Sequence, residues 1–280
     1  MLAAYTHTVG QKTAKMSLTE TVSTNAGAAA SGSATPTASG AGNLSTTITA
    51  AGTVDFTGKA ADLTMQVEGQ SLEMREIGTT IYMHLTGSLG QGLPDGKTWV
   101  SLDLDKLSEA KLGTSLSSLT QTSRENPAQM LGYLQAVSQS GLHKAGTATI
   151  RGESTTEYDA TVDLKKLAAL QTTPAAQQAI TKLAAQMGTS GYPMKVWIGT
   201  DGLVHQMQFS ISEDAAALAS APAGASPAAA EPTSIAVAAT IQLYDYGTAV
   251  TVTAPPAAQT ADLTSQVASG APAPASSPAA

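Results

Sequence analysis

Apolar and polar residues alternate with a period of two along most of this chain, the pattern of β-strands that bury one face. The clearest stretch covers residues 191–211. Met194, Val196 and Ile198 are apolar on one side of Thr200-Asp201-Gly202, and Leu203, Met207, Phe209 and Ile211 on the other, which predicts a β-hairpin closed by an Asp-Gly turn. Similar alternations occur at Met16/Leu18/Val22, Leu44/Ile48/Val54/Phe56, Leu63/Met65/Val67, Leu72/Met74, Ile81/Met83/Leu85 and residues 98–102. Further along they return at Ala148/Ile150, Tyr158/Ala160/Val162, Ile235 through Leu243, and Val250/Val252. So many strands, joined largely by short turns, predict one large curved antiparallel sheet.

Helical periodicity is rarer. It marks residues 2–12, 103–112, 127–137, 163–170 and 174–187, with Pro127 and Pro174 suited to first-turn positions. Leu102-Asp103-Leu104-Asp105-Lys106-Leu107 echoes Val162-Asp163-Leu164-Lys165-Lys166-Leu167. Each echo places an Asp where a strand ends and a helix begins, a position that favours an N-cap carboxylate. The echo fits repeated strand-to-helix geometry as well as internal duplication. The fold class is therefore α+β: a half-barrel of antiparallel strands wrapped over a few helices, in one domain spanning residues 1–265.

Composition refines this picture. Segments 26–42 and 215–232 are rich in Ala, Ser, Gly, Thr and Pro, and so are residues 266–280. Such sequences bury too little apolar area to offset ordering entropy, so they are expected to be two mobile hairpin loops and a disordered tail. Aromatic residues make up only 4% and charged residues 12%, leaving Thr, Ser and Gln to form the polar strand faces, a composition that fits an extracytoplasmic β protein. The net charge of −7 supplies no basic footprint, which argues against nucleic-acid binding. With no cysteine there is no disulfide or thiolate chemistry in this chain, and no stretch of 18 apolar residues predicts a membrane helix. The first residues lack the basic and apolar regions of an export signal, so any such segment is expected to lie outside this chain.

Few residues carry an enzyme signature. Ser108 and Lys111 match the SxxK spacing of serine acyl-transfer enzymes but lack companion motifs. Glu73/Glu76 and Asp103/Asp105 are the nearest carboxylate pairs, and Asp245, between two tyrosines, is expected to make a structural hydrogen bond at a turn. The four histidines, His7, His84, His143 and His205, are scattered without ligand spacing. No catalytic residue, metal or cofactor is assigned.

The methionines are more informative. Met16, Met65, Met74, Met83, Met194 and Met207 lie on or near the apolar phase of strands, and Met130 and Met187 on helices. Methionine adapts to irregular apolar contents, and a large sheet with two Phe and two Trp has little bulk to fill its concave side, which predicts an apolar cavity or groove.

Taken in order, several segments resemble the LppX/LprG group of actinobacterial lipoproteins (the LppX, LprA, LprF and LprG type), similar in fold to the carriers LolA and LolB. They are Leu2-Ala3-Ala4-Tyr5 leading to Met16-Ser17-Leu18, then Ile81-Tyr82-Met83, then Lys97-Thr98-Trp99-Val100-Ser101. The order continues with Asn126-Pro127 leading to Tyr133-Leu134, Tyr158-Asp159-Ala160-Thr161-Val162, Pro193-Met194-Lys195-Val196-Trp197-Ile198, and Tyr246-Gly247-Thr248 leading to Pro255-Pro256. The resemblance implies a cavity between sheet and helices that accepts acyl chains of lipids, glycolipids or lipoglycans. It also implies export to the cell envelope and an N-terminal lipid anchor at the membrane surface, on a cysteine this chain does not carry.

The expected function is non-enzymatic lipid binding or transport by a monomer. From strand phase, the cavity residues are Met65, Met74, Met83, Val196, Ile198 and Met207, with Met130 and Leu134 from the helix side. The alternative is an envelope interaction or sensor module whose core is filled by its own side chains. An open apolar void would mark the carrier, and a groove filled by Met and Leu the module.

Overall fold

The computed structural model describes residues 1–26, 44–57, 60–87, 90, 93–107, 127–171, 174–187, 189–214 and 232–269. Nearly all of segments 26–42 and 215–232, most of the 266–280 tail, and Ser108 with Lys111 therefore lie outside the described residues.

The described strands form a single 12-stranded sheet. They are β1 (Thr13–Ala26), β2 (Leu44–Asp55), β3 (Ala60–Val67), β4 (Gln70–Ile77), β5 (Thr80–His84), β6 (Trp99–Asp103), β7 (His143–Ile150), β8 (Glu153–Asp163), β9 (Gly191–Gly199), β10 (Val204–Asp214), β11 (Pro232–Tyr244) and β12 (Thr260–Asp262). Their spatial order is β12-β6-β5-β4-β3-β2-β1-β11-β10-β9-β8-β7, an open sheet with edges at β12 and β7. Every neighbouring pair is antiparallel except β12 with β6. The long central strand β1 is flanked by both halves of the chain, pairing β2 on one side and β11 on the other.

The helices are α1 (Leu2–Gly10), α2 (Pro127–Gly132), α3 (Leu164–Ala169), α4 (Pro174–Met187) and α5 (Thr264–Ser269). Ala4 of α1, Leu131 of α2, Leu164 and Leu167 of α3, and Ile180 of α4 join Met16, Val54, Leu63, Val162, Val196, Met207, Ile241 and Leu243 in one buried cluster. Helices and the alternate residues of the strands thus share the inner face of the sheet, and this burial supplies the main driving force for folding.

Local chemistry accounts for several boundaries. Asp163 caps α3, its carboxylate accepting from the backbone N–H groups of Lys165 at 2.8 Å and Lys166 at 3.1 Å. The echo residue Asp103 accepts from the Lys106 N–H at 3.2 Å at the entrance of a helical turn over residues 104–107. Both Asp residues thus serve the strand-to-helix junction.

Four elements differ from the sequence expectation. Residues 127–137 form no continuous helix: α2 ends at Gly132, a poor helix former, and Tyr133–Ala136 continue as a 3₁₀ turn. That turn sets the Tyr133 ring edge-on to Tyr192 and Phe209, and Val137 bridges to Val162. Val250 and Val252 form no strand, and the Thr253 carbonyl nearby accepts from Arg75 Nη1 at 2.9 Å. β12, only three residues long, shows no alternation that would reveal it. The segment predicted as tail is helical up to Ser269, because Asp262 Oδ1 accepts from the Thr264 N–H at 2.9 Å and Thr264 Oγ1 from the Asp103 N–H at 2.9 Å.

Candidate functional site

Cross-strand pairing puts the predicted strand residues on one face. Met65 lies opposite Ala50 and Leu72, Met74 opposite Leu63 and Met83, and Met83 opposite Val100. Met207 lies opposite Val196 and Ile241, and Ile198 opposite Val204. Directly opposed residues project to the same side of a sheet, so Met65, Met74, Met83, Val196, Ile198 and Met207 all occupy the inner face. Leu134 and Met130 approach that face from the helix side.

The inner face has two unlike halves. On the β8–β11 side it is filled: Val196 and Met207 are 0% exposed and Leu134 1%, packed with Tyr192, Phe209 and Met194. Met130, Met74 and Ile198 border this cluster and are half-buried. On the β1–β5 side Met16, Ala50, Val54, Ala61 and Leu63 are buried too, and the apolar pattern continues beyond them. Val22, Ile48, Met65, Val67, Leu72, Ile81 and Met83 remain half-buried and stand outside the core cluster. Of the predicted residues, Met65 and Met83 therefore share a half-buried apolar strip outside the core cluster, whereas Val196, Met207 and Leu134 form packed core.

One member of the strip breaks its chemistry. Glu20 lies on the apolar phase of β1, between Leu18 and Val22, and pairs with Ile48 on β2 and Ala239 on β11. A charged residue inside an alternating apolar run was the visible sequence signal for it.

Elsewhere, polar groups have structural partners. On the outer face, the Arg75 guanidinium sits 4.8 Å from the Trp99 ring centroid and donates to Glu73 Oε1 at 2.6 Å and 2.9 Å. The His84 ring stacks on the opposite pair member, Trp99, at 4.7 Å. Glu73 and Glu76 are three apart on β4 and so project to opposite faces, which removes them as an acid–base pair. Asp103 is engaged as a cap, accepting from the Lys106 N–H. Asp245 makes the turn contacts expected of it: Lys15 Nζ donates to its carboxylate at 2.8 Å and Thr248 Oγ1 to its carbonyl at 2.6 Å. Among the described residues no group of three or more His, Asp or Glu side chains could hold a metal ion, and no helix is long and apolar enough to cross a membrane.

The β9–β10 hairpin contains a bulge. Val204 pairs with Ile198 and Gln206 with Trp197, so His205 is the extra residue and Val204, not Leu203, takes the inner-face position. His205 is buried, with Nε2 3.1 Å and 3.2 Å from the two Asp201 carboxylate oxygens. Beside it the Tyr246 hydroxyl donates to the Val204 carbonyl. Burial, and secondarily the negative charge of Asp201, push the Tyr246 phenol above its ordinary value of 10.0. A group whose folded pKa is raised loses its stabilising contribution as pH climbs past the unfolded value. Unfolding free energy should therefore fall above pH ~10 by up to about 1.4 kcal/mol per pH unit on account of this phenol. Denaturant titrations of wild type and Tyr246→Phe between pH 8 and 11 check this: the variant is expected to show the shallower decline, and identical slopes would exclude the assignment.

Two open clefts lie away from the inner strip. One of about 580 Å³ is lined by Lys106, Asp262, Thr264, Ser265, Ala268 and Ser269. The other, of about 440 Å³, lies between α1 and the β9–β10 turn, lined by Thr6, His7, Gly10, Gln11, Asp201 and Leu203.

The likeness among solved structures is to mycobacterial lipoproteins. The crystal structure of the lipoprotein LppX of Mycobacterium tuberculosis is 16% identical with a TM-score of 0.43, over 90% of this chain and 95% of that one. That of LprF from Mycobacterium bovis is 13% identical with a TM-score of 0.41, over the same shares. A putative outer membrane lipoprotein-sorting protein domain from Vibrio parahaemolyticus is 7% identical with a TM-score of 0.25, over 87% and 88%. LppX and LprF belong to the group whose segments this sequence resembles. No family model and no curated protein matches the chain. At these identities and TM-scores the likeness carries no functional argument, and function has to be read from the chain's own inner face.

Proposed function

We propose that this protein binds the acyl chain of a lipid, without catalysing a reaction, on the half-buried apolar strip of strands β2–β5 on its inner sheet face. The observation that carries this reading is the strip of half-buried Ile48, Met65, Val67, Leu72, Ile81 and Met83, continuous with the core yet outside it. A contiguous apolar strip that stays partly open to water outside the packed core suits a binding surface. An acyl chain that covers roughly 200 Å² of it contributes about 5 kcal/mol before association costs. The two methionines in the strip suit a ligand of irregular shape. Lipids, glycolipids or lipoglycans of the cell envelope are the ligand class, with the protein acting as an extracytoplasmic monomer near a membrane surface; the Thr- and Ser-built outer faces and low charge support that setting.

A second reading, an interaction module, is favoured by the filled β8–β11 half, where Leu134, Val196 and Met207 leave no space. The two readings part at Met83. In the lipid reading, Met83→Trp occupies the strip with a bulky ring and is expected to weaken uptake of a fluorescent fatty acid about tenfold, a change of about 1.4 kcal/mol, with the melting temperature little changed. Uptake equal to wild type in a folded Met83→Trp protein would remove the strip as the lipid site.

A further inference from the structure

Across the middle of the sheet, one row of inner-face residues runs Phe209, Ala239, Glu20, Ile48, Val67 through the paired strands β10, β11, β1, β2 and β3. Phe209 is buried under Tyr133 and Tyr192, and the others are half-buried. Glu20 therefore stands where the helix-covered half meets the open strip, with Leu18 and Val22 beside it on its own strand. Its neighbours in the rows on either side are Ala50, Ile241, Val237 and Thr46. None is basic, and among the described residues no hydrogen bond or ion pair reaches Glu20. Two other carboxylate residues have the inner-face phase: Glu213 on β10, opposite Ile235, and Glu76, which is level with Ala14 and Ala61, six residues or about 20 Å along the strands from Glu20, and has a partner of its own.

A carboxylate held among apolar side chains is costly unless an opposite charge meets it. In the polar outer face this sheet gives its carboxylates cations: Glu73 has Arg75, and Glu157 has Lys195 at 2.7 Å. Among the described residues Glu20, half-buried in the apolar strip, has no cation beside it, and a bound ligand can supply one. We propose that Glu20 is the head-group anchor of the site and that the ligand is an amphipath with a cationic amine head. This inference rests on the acyl-binding reading above. The ammonium meets the Glu20 carboxylate while the chain runs over Ile48, Val67, Met65 and Leu72. An anionic head at the same place is repelled, and the chain's net charge of −7 reinforces that choice at long range.

The test is a titration with three probes of equal chain length, each below its micelle concentration: dodecylammonium, dodecanoate and dodecyl maltoside. Binding is followed by calorimetry to wild type, Glu20→Gln, Glu20→Leu and Glu153→Gln, the last removing one exposed carboxylate elsewhere. Wild type is expected to bind dodecylammonium at least about tenfold more tightly than either other probe, as one desolvated charge pair provides. Glu20→Gln and Glu20→Leu should bring the three probes within about twofold of one another, and Glu153→Gln should keep the preference. Equal affinity of wild type for all three probes, or a preference that survives both Glu20 substitutions, would overturn the anchor while leaving the acyl site standing. Failure of all three probes to bind wild type would overturn the acyl site and the anchor together.

Discussion

Gly52→Ala is expected to destabilise the protein by about 2–3 kcal/mol, the upper range of an overpacked position. Gly52 lies in the middle of β2 on the inner face, opposite Met16 on β1 and Leu63 on β3. A Cβ built there runs into the Asp62 carbonyl and the Leu63 backbone of the neighbouring strand, and backbone cannot swing aside as a side chain can. Relief requires β2 and β3 to separate where Leu63, Val54 and Ala61 are all nearly unexposed, so the cost includes lost burial as well as strain. Chemical denaturation of wild type and Gly52→Ala measures it. A change within about 0.5 kcal/mol, the ordinary range for a surface substitution, would show that the two strands are not held this closely.

The second large effect falls on Met207. From strand phase alone, Met207 and Met83 are equivalent inner-face methionines. Met207 is 0% exposed between Val196, also 0%, and Ile241 at 1%, under a helical layer that includes Leu134. Met207→Trp therefore forces a ring into a filled space and is expected to cost about 3 kcal/mol, with loss of cooperative unfolding in the worst case. Met83, half-buried and outside the core cluster, accepts Trp at little cost to stability. The contrast is read from thermal melts of the two variants side by side. Equal melting temperatures would mean that the two halves of the inner face are packed alike.

This contrast also shows where sequence reasoning stops. The phase of every long strand was legible, because a period of two leaves only two choices and an apolar inner face selects one of them. That is enough to place Met65, Met74, Met83, Val196, Ile198 and Met207 on one side. It says nothing of which rows the helices cover, since coverage depends on the packing of α1, α2 and α3, which no alternation encodes. The His205 bulge was hidden for a related reason: one extra residue moves Val204 into the position that an unbroken alternation assigns to Leu203. The strand β12 is too short to carry a period, and the Val250/Val252 alternation is real but belongs to a segment tied by Arg75 rather than by a ladder. Glu20 was visible as an exception, yet its meaning depends on knowing that Ile48, Ala239 and Val67 surround it without a cation.

The caps were the most transferable local signal. Asp103 and Asp163 were marked by position alone; Asp163 accepts from two backbone N–H groups of its helix start and Asp103 from one, groups that would otherwise lack partners. The two junctions share their geometry although one leaves the sheet after β6 and the other after β8.

Lipid binding at the half-buried strip of the inner face is the central claim. The most direct measurement is native mass spectrometry of the protein purified from a membrane-containing host and again after incubation with phospholipids and glycolipids, followed by solvent extraction of any adduct. The account predicts one lipid per chain, which remains at low collision energy and is identified in the extract. A mass equal to that of the bare chain under both conditions would contradict it and leave the interaction module as the reading of this fold.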